Sequence, residues 1–154
     1  MQFYSKIRFR SALWALICIC MLCSCGTDKP DVSDIQVDTE IQRFDHDLSS
    51  MISKPDAITK LKDKYGLFYE TFTFKILQIR QGSDEEVADA LRTFVTDSSV
   101  SSVSLSIDSV YKDLGEIEQG FSEFAKHYKY YFPKDTFPRI VACNTFFNYA
   151  IAID

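Results

Sequence analysis

A stripe of apolar residues in the last third of the chain limits the possible folds more than any other feature. Its members are Val110, Leu114, Ile117, Phe121, Phe124, Tyr128 and Tyr131. They recur at alternating intervals of four and three residues, which places them on one face of a helix. The spacing predicts one amphipathic helix of about 25 residues that tolerates Gly115 and Gly120 and ends at Phe132-Pro133.

A second apolar face precedes this stripe. Its members are Ile58, Leu61, Tyr65, Phe68, Phe72, Ile76 and Ile79. Their spacing predicts one helix, or two helices that are broken near Gly66. Ser53-Lys54-Pro55-Asp56 has the form of a helix start with Ser53 as the N-cap.

Two further segments lie between these two apolar faces: a helix start and a serine-rich stretch. Ser83-Asp84-Glu85-Glu86 is a capping box, in which Ser83 accepts from the amide of Glu86 while the Glu86 side chain reaches back. The helix that it opens continues through Val87, Leu91 and Val95. Asp97 to Ser106 is rich in serine with interspersed valine, and we expect a loop there rather than an edge strand.

Strand patterns lie at both ends of the folded part. Ile35, Val37 and Thr39 alternate with polar residues, and Ile41, Arg43 and Phe44 follow after a one-residue phase shift at Glu40. This pattern predicts a strand that contains a bulge or runs into a turn. Arg139 to Asn144 and Phe146 to Asp154 are rich in β-branched and aromatic residues and predict two strands. The fold class is therefore α+β, mainly helical, with an amino-terminal strand and two carboxy-terminal strands. Because the chain stops within a strand-like run, we expect an incomplete domain.

The amino-terminal residues have the composition of a secretory signal. Lys6, Arg8 and Arg10 precede an apolar run from Ala12 to Leu22. A membrane-spanning helix requires about 20 apolar residues, so this shorter run is expected to be removed after export. An uncleaved anchor and an ordinary secreted protein are the alternatives.

Cys25 is the predicted lipidation site. Leu22-Cys23-Ser24-Cys25-Gly26 resembles the lipobox of bacterial lipoproteins, which implies cleavage after Ser24. Alkylation of the Cys25 thiolate would then attach acyl chains, and more than one chain makes anchoring to the lipid bilayer effectively permanent. We expect a signal peptide over residues 1–24, a flexible tether over 25–34 and the folded domain over 35–154.

Charge and cysteine content limit the partners and the disulfides that are expected once the signal peptide has been removed. Loss of three of the 17 basic residues with the signal leaves 14 against 22 acidic residues, a net charge of −8. Such a surface repels phosphate groups, so nucleic acid is not an expected partner. With Cys25 lipidated, Cys143 is left without an intramolecular disulfide partner, and we expect it to be a buried thiol.

No complete active site is predicted within the chain. Asp45-His46-Asp47 offers three potential metal ligands in a row, but consecutive side chains point in different directions, so the two aspartates are better explained as charges in a helix's first turn. Asp84-Glu85-Glu86 has the same explanation, and His127 is expected to face solvent. The serines of Ser98 to Ser109 lack a Gly-x-Ser-x-Gly elbow. We therefore predict no catalytic, metal-binding or cofactor-binding residue, and consider an enzyme less favoured than a non-enzymatic protein.

An aromatic cluster lies where the long helix ends. It consists of Tyr128, Tyr130, Tyr131, Phe132 and Phe137. Such a cluster at the junction of a helix and strands is usually part of the core. The alternative is a face that stacks on sugars or contacts a partner.

Four short stretches resemble the gliding-motility-associated lipoprotein (GldB) family. They are Ile41-x-Arg43-Phe44-Asp45-x-Asp47-Leu48, Lys64-Tyr65-Gly66-x-Phe68, Tyr130-Tyr131-Phe132-Pro133 and Phe137-Pro138-Arg139. Family members extend well beyond the length of this chain and are similar in architecture to predicted zinc-dependent peptidases. The resemblance implies a location in the cell envelope and a non-catalytic role, and it transfers no catalytic residue to this chain.

These observations favour a lipid-anchored, non-catalytic accessory of an envelope assembly of the gliding-motility or secretion type, with envelope proteins as partners. The expected location is the outer membrane, on its periplasmic or cell-surface face. One alternative is the amino-terminal part of a zinc-peptidase-like lipoprotein whose metal site lies beyond Asp154. Another is a glycan- or solute-binding lipoprotein that uses the aromatic cluster.

Overall fold

A computed structural model of the chain describes residues 29–147. The chain divides into two units between Asp34 and Ile35, and the elements described below belong to the second unit. The predicted signal peptide, Cys25 and the first residues of the predicted tether lie outside the described residues. Most of the second predicted carboxy-terminal strand, residues 148–154, also lies outside them.

The described residues form six α-helices, a π-helix and a two-stranded parallel sheet. In chain order these are β1 (Ile41–Arg43), α1 (Phe44–Met51), α2 (Ala57–Tyr65), α3 (Leu67–Glu70), the π-helix (Thr71–Ile76), α4 (Asp84–Thr96), α5 (Ser98–Val110), α6 (Gly115–Tyr131) and β2 (Ile140–Ala142). In the sheet, Ile41 lies opposite Ile140 and Arg43 lies opposite Ala142. Parallel strands require a crossover connection, and here the helices supply it. The predicted α+β class, mainly helical, is confirmed.

The hydrophobic core is built by the first half of the described chain. Its buried members are Phe44, Leu48, Ile52, Ala57, Ile58, Leu61, Tyr65, Tyr69, Phe72, Ile76, Val87 and Leu91. Phe44 is central, because its ring meets those of Tyr65, Phe68 and Phe72 at centroid distances of 4.8, 5.1 and 4.7 Å. The predicted apolar face between Ile58 and Ile76 therefore packs inward as expected. None of the described residues in this core cluster comes from α6.

The apolar face around Gly66 forms separate helices rather than one, which is the second of the two predicted arrangements. Gly66 has a φ of 54°, a conformation that glycine adopts easily, and it separates α2 from α3. The predicted N-cap at Ser53 is wrong, since α2 begins at Ala57 with Asp56 at the N-cap position. Residues Ser53 to Asp56 instead form turns after α1, in which the amide of Lys54 donates to the carbonyl of Met51 over 2.7 Å. The predicted capping box at Ser83 is confirmed at the start of α4.

The loop expected over Asp97 to Ser106 is wrong, because α5 occupies Ser98–Val110. The carboxylate of Asp97 caps this helix by accepting from the amides of Ser99 and Val100 at 2.8 and 3.1 Å. Apolar residues at Val100, Val103, Ile107 and Val110 recur at helical spacing. Serine has a modest helix propensity, and here capping and this apolar face outweigh it.

The single long helix expected from Val110 is also wrong. Val110 is the last residue of α5, Tyr111 to Leu114 are not helical, and α6 begins at Gly115. The carboxylate of Asp113 accepts from the amide of Gly115 over 2.8 Å, which stabilises the new helix start. The predicted helix end is confirmed, with Tyr131 as the last residue of α6.

The strands are shorter than the sequence suggested. β1 covers only Ile41–Arg43 and continues directly into α1, so the strand predicted from Ile35 onward is confirmed only in its last part, and residues 35–40 form no strand. β2 lies within the predicted Arg139 to Asn144 strand. Phe146 and Phe147 lie in a turn with φ values of 50° and 59°, so no strand starts at Phe146. Within residues 29–147, no helix combines the length and the apolarity that crossing a bilayer requires.

Candidate functional site

One cluster of charged side chains joins the sheet to two helices. It consists of Arg43, Asp45, His46 and Asp108, and it is called the Arg43 cluster below. Arg43 is the last residue of β1, Asp45 and His46 lie in the first turn of α1, and Asp108 lies near the end of α5. Because β1 runs into α1 without a loop, the first three residues stay close together, and α5 adds the fourth.

Arg43 and Asp45 form a bidentate pair. Nε of Arg43 donates to Oδ1 of Asp45 over 2.9 Å, and Nη2 donates to Oδ2 over 2.7 Å. Their side chains are only 18% and 15% exposed, which reduces screening by water. The hydrogen bond to Asp45 is the largest influence on Arg43 and raises the pKa of its guanidinium.

Asp108 connects the pair to α5 and to His46. Its Oδ1 accepts from Nη2 of Arg43 over 2.9 Å and lies 2.7 Å from Nε2 of His46. The hydrogen bond with His46, followed by that with Arg43, lowers the pKa of the Asp108 carboxyl. No sequence pattern brings Asp45 and Asp108 together, yet their carboxylates converge in the structure. They converge because the region predicted as a loop is a helix.

Three members of the Arg43 cluster have the donor types of a metal site. One ligand atom each from Asp45, His46 and Asp108 lies within 4.8 Å of the others. However, Nη2 of Arg43 contacts all three groups, and its fixed positive charge repels a cation at that point. The guanidinium thus occupies the position that a bound ion would take. The cluster is suited to fastening α5 to the sheet end.

Asp47 points away from this cluster and takes part in a second one. Its Oδ2 accepts from the hydroxyl of Tyr65 over 2.7 Å and from Nζ of Lys64. Burial acts to raise the pKa of Asp47, but the hydrogen bonds from Lys64 and Tyr65 outweigh it, and the pKa falls below its usual value. Burial and the bond to Asp47 raise the pKa of Tyr65. Of the three consecutive residues, Asp47 thus points elsewhere, whereas Asp45 and His46, contrary to expectation, lie close together.

Arg139 completes this second cluster from the start of β2. Its Nη1 donates to the carbonyl of Lys64 over 3.1 Å, and its Nη2 donates to the carbonyl of Tyr65. These carbonyls lie at the end of α2, where they lack partners within the helix. Three of the four stretches that carry the family resemblance therefore meet at Tyr65. The residues of these three stretches take part in core packing and in the hydrogen bonds that surround the core.

An open apolar groove of about 250 Å³ lies beside the Arg43 cluster. Both strands line it, together with Ile107 of α5 and with Ile117 and Phe121 of α6. Arg43 and Asp45 lie at its edge. The groove joins an apolar surface to a charged one, which is the composition of a binding surface for a protein segment or an amphipathic ligand.

Some side chains of the aromatic cluster pack against one another, and others are exposed to solvent. Tyr128 packs against Phe132 and Phe137 at centroid distances of 5.1 and 5.7 Å. In contrast, Tyr130, Tyr131 and Phe132 are 50%, 62% and 52% exposed. The core interpretation is therefore wrong for these three residues.

The remaining candidates have structural explanations. Cys143 is half-buried rather than buried, and burial raises the pKa of its thiol, which disfavours the reactive thiolate. His127 is half-exposed and its Nδ1 donates to the carbonyl of Glu123 over 2.9 Å. Asp84, Glu85 and Glu86 lie in the first turn of α4, as predicted. Cys25, the predicted lipid site, lies outside the described residues.

Comparisons with known proteins give one family match. The family model described as gliding motility protein GldB matches residues 26–154. Comparison with curated proteins and comparison with solved structures find no match. The match begins directly after Cys25 and covers all the elements described above.

Proposed function

The chain belongs to the gliding motility protein GldB family, and on that premise we propose that it is a membrane-anchored, non-catalytic accessory of a cell-envelope assembly. Its anchor is the acylated Cys25, and its folded part presents surfaces to envelope proteins. The observation that carries the proposal is the family match over residues 26–154, together with the lipobox-like sequence that immediately precedes it.

The contacts made by the stretches that carry the family resemblance support a non-catalytic role. Phe44, Tyr65 and Phe68 pack against one another, while Asp47 and Arg139 bond to Tyr65 or its backbone. Side chains that are engaged in packing and in hydrogen bonds within the fold are not available for a substrate. In the described residues, the resemblance thus reflects a shared fold.

The Arg43 cluster supports the same conclusion. A general base or a metal ligand requires a free lone pair directed at a substrate or an ion. Both oxygens of Asp45 accept from Arg43, and Oδ1 of Asp108 contacts Arg43 and His46. Each of the two carboxylates thus bonds to Arg43, which supports a role of the cluster as an ion-paired link between elements.

The anchor is tested by metabolic labelling with an alkyne-bearing palmitate analogue in the source bacterium. The full chain is expected to incorporate label and to sediment with membranes. Cys25→Ser should lose both properties, whereas the matched control Cys23→Ser should retain them, because Cys23 leaves with the signal. Labelling of the Cys25→Ser protein would refute anchoring at this residue.

The non-catalytic role is tested by complementation of a deletion strain. We expect His46→Ala to restore the motility or secretion phenotype to the wild-type level, while Cys25→Ser fails. Crosslinking in cells before purification should recover envelope proteins with the wild type. Loss of complementation by a folded, normally abundant His46→Ala protein would contradict the proposal, as would crosslinking that recovers no envelope protein.

A further inference from the structure

Helix α6 is weakly connected to the rest of the described fold. Ala125 is its buried residue, and within residues 29–147 it contributes neither to the core cluster nor to the side chains packed against that cluster. The side chains of Ile117, Phe124 and Tyr131 are 37%, 59% and 62% exposed. A helix of 17 residues with so little buried surface gains little free energy from packing, and elements of this kind are the ones that open locally.

The segment that contains α6 leaves the fold and rejoins it at two fixed points. Before it, the amide of Tyr111 donates to the carbonyl of Ile107 over 2.8 Å at the end of α5, and the Arg43 cluster fastens α5 to the sheet end. After it, Arg139 holds the start of β2 to the end of α2. The links on either side of α6, residues 111–114 and 132–139, are not helical and are mostly exposed. They therefore supply the backbone freedom that a hinge requires.

A hydrogen bond from the sheet to Glu118 holds α6 in place. The amide of Ile41, the buried first residue of β1, donates to Oε1 of Glu118 over 3.1 Å. The other described side-chain hydrogen bonds and ring contacts of α6 end within residues 113–137, so they leave with the helix when it moves. A carboxylate that accepts from a backbone amide makes a strong hydrogen bond. Glu118 therefore has the position of a latch.

The side of α6 that faces the fold lines the apolar groove beside the Arg43 cluster. Ile117 and Phe121 of α6 line this groove of about 250 Å³ together with both strands and with Ile107 of α5. Cys143, the residue directly after β2, also lines it. Movement of α6 away from β1 therefore widens the groove and admits solvent to the thiol of Cys143.

We propose that α6 is a lid on this groove, held closed by the hydrogen bond between Glu118 and the amide of Ile41. It opens about the links at 111–114 and 132–139 while the core stays folded. Opening breaks the Glu118 bond and exposes the groove side of the helix, which costs less free energy than unfolding of the core. The inference does not depend on the proposed function, because it rests on the contacts of α6 alone.

The rate at which iodoacetamide alkylates Cys143 in the full chain, in detergent at one fixed pH, measures the opening of the lid. Mass spectrometry of the peptide that contains Cys143 makes the measurement independent of the other cysteines. We expect Glu118→Ala to raise this rate by about fivefold or more, because the latch is lost. The matched control is Glu116→Ala, two positions earlier in the same helix: Glu116 is exposed, and its variant should react at the wild-type rate.

Amide hydrogen exchange in low concentrations of urea separates lid opening from unfolding of the whole domain. In the wild type, the amides of α6 should exchange together and faster than those of α2, which contributes several core residues. Because opening of one helix exposes little surface, exchange of the α6 amides should depend only weakly on urea, whereas exchange of the α2 amides should depend on it strongly. Alkylation of Cys143 should follow the weak urea dependence of α6.

Two outcomes would overturn the proposal. One is exchange of the α6 amides with the rate and urea dependence of α2, which would mean that α6 leaves its place only when the domain unfolds. The other is a folded Glu118→Ala protein in which Cys143 reacts no faster than in Glu116→Ala. If circular dichroism shows that Glu118→Ala does not fold, the pair Glu118→Gln and Glu116→Gln takes over the comparison, because glutamine keeps an acceptor oxygen but loses the charge. Equal alkylation rates in that pair would also overturn the latch.

Discussion

The hydroxyl of Tyr65 donates a hydrogen bond to Oδ2 of Asp47 over 2.7 Å and so links the last residue of α2 to the first turn of α1. The ring of the same tyrosine meets Phe44 edge-on, with 4.8 Å between the centroids. Tyr65 is fully buried, so its polar atom needs this partner. One side chain therefore joins the aromatic core to the hydrogen bonds that surround it.

Tyr65→Phe should lower the free energy of unfolding by about 1–2 kcal/mol, because one hydrogen bond to a charged acceptor is lost while the ring packing remains. Urea denaturation of the full chain in detergent, followed by circular dichroism, measures the difference. Tyr111→Phe is the matched control, since Tyr111 is 47% exposed, and it should change stability by less than about 0.5 kcal/mol. Equal effects of the two variants would contradict this role of the Tyr65 hydroxyl.

Acid should destabilise the protein through Asp47 and Asp108, whose pKa values are lowered in the fold. A lowered carboxyl pKa means that the unfolded chain binds more protons, so the stabilisation is present above about pH 4 and is lost as pH falls through the native pKa. Denaturation midpoints at neutral pH and near pH 3 measure this loss.

The pH effect can be assigned with two variants. Asp47→Asn should be less stable than the wild type at neutral pH and should lose less stability on acidification. Asp63→Asn, on the exposed face of α2, should follow the wild-type pH curve. If both variants show the wild-type pH dependence, Asp47 does not contribute to it.

Arg43→Met should cost about 2–3 kcal/mol of stability, because it leaves the largely buried Asp45 carboxylate without its bidentate partner. Arg43→Lys should recover only part of the loss, since an ammonium group cannot reproduce the planar fork. Arg92→Met provides the comparison: its ion pair with Asp89 is exposed, and we expect a change of less than about 1 kcal/mol. Thermal denaturation of the three variants would show whether this ranking holds.

Ser83→Ala should destabilise the protein by about 1 kcal/mol, because the capping box at the start of α4 loses one of its two reciprocal hydrogen bonds. Ser102→Ala replaces an exposed serine in α5 with a better helix former and should have no destabilising effect. Hydrogen exchange of the first amides of α4 should accelerate only in the Ser83 variant. Unchanged exchange there would show that the cap is dispensable.

The sequence predicted elements well where local chemistry and periodicity agreed. The capping box at Ser83 and the break at Gly66 depend on local hydrogen bonds and backbone freedom, so they could be identified without tertiary information. Prediction failed for α5 because serine has weak local preferences. A cap at Asp97 followed by apolar residues at helical spacing was the available signal.

The charged clusters were less predictable. Arg43, Asp45 and His46 are neighbours in sequence, but Asp108 lies 62 positions after His46 and approaches only when α5 is a helix that packs near β1. In the same way, Arg139 reaches the carbonyl of Tyr65 across 74 positions. Long-range contacts of this kind follow from the course of the chain, and a pattern of nearby residues does not contain them.

The sequence alone determined the α+β class, the apolar faces of the helices and the stripe from Val110 to Tyr131, because side-chain periodicity is a local property. Only the tertiary structure decided that this stripe is divided between α5 and α6 and that its later part lies outside the core. The same spacing suits a buried helix and a helix with an exposed seam, since hydrophobic periodicity specifies a face but not the partner that covers it. Which surface meets that face depends on the packing of all the other elements.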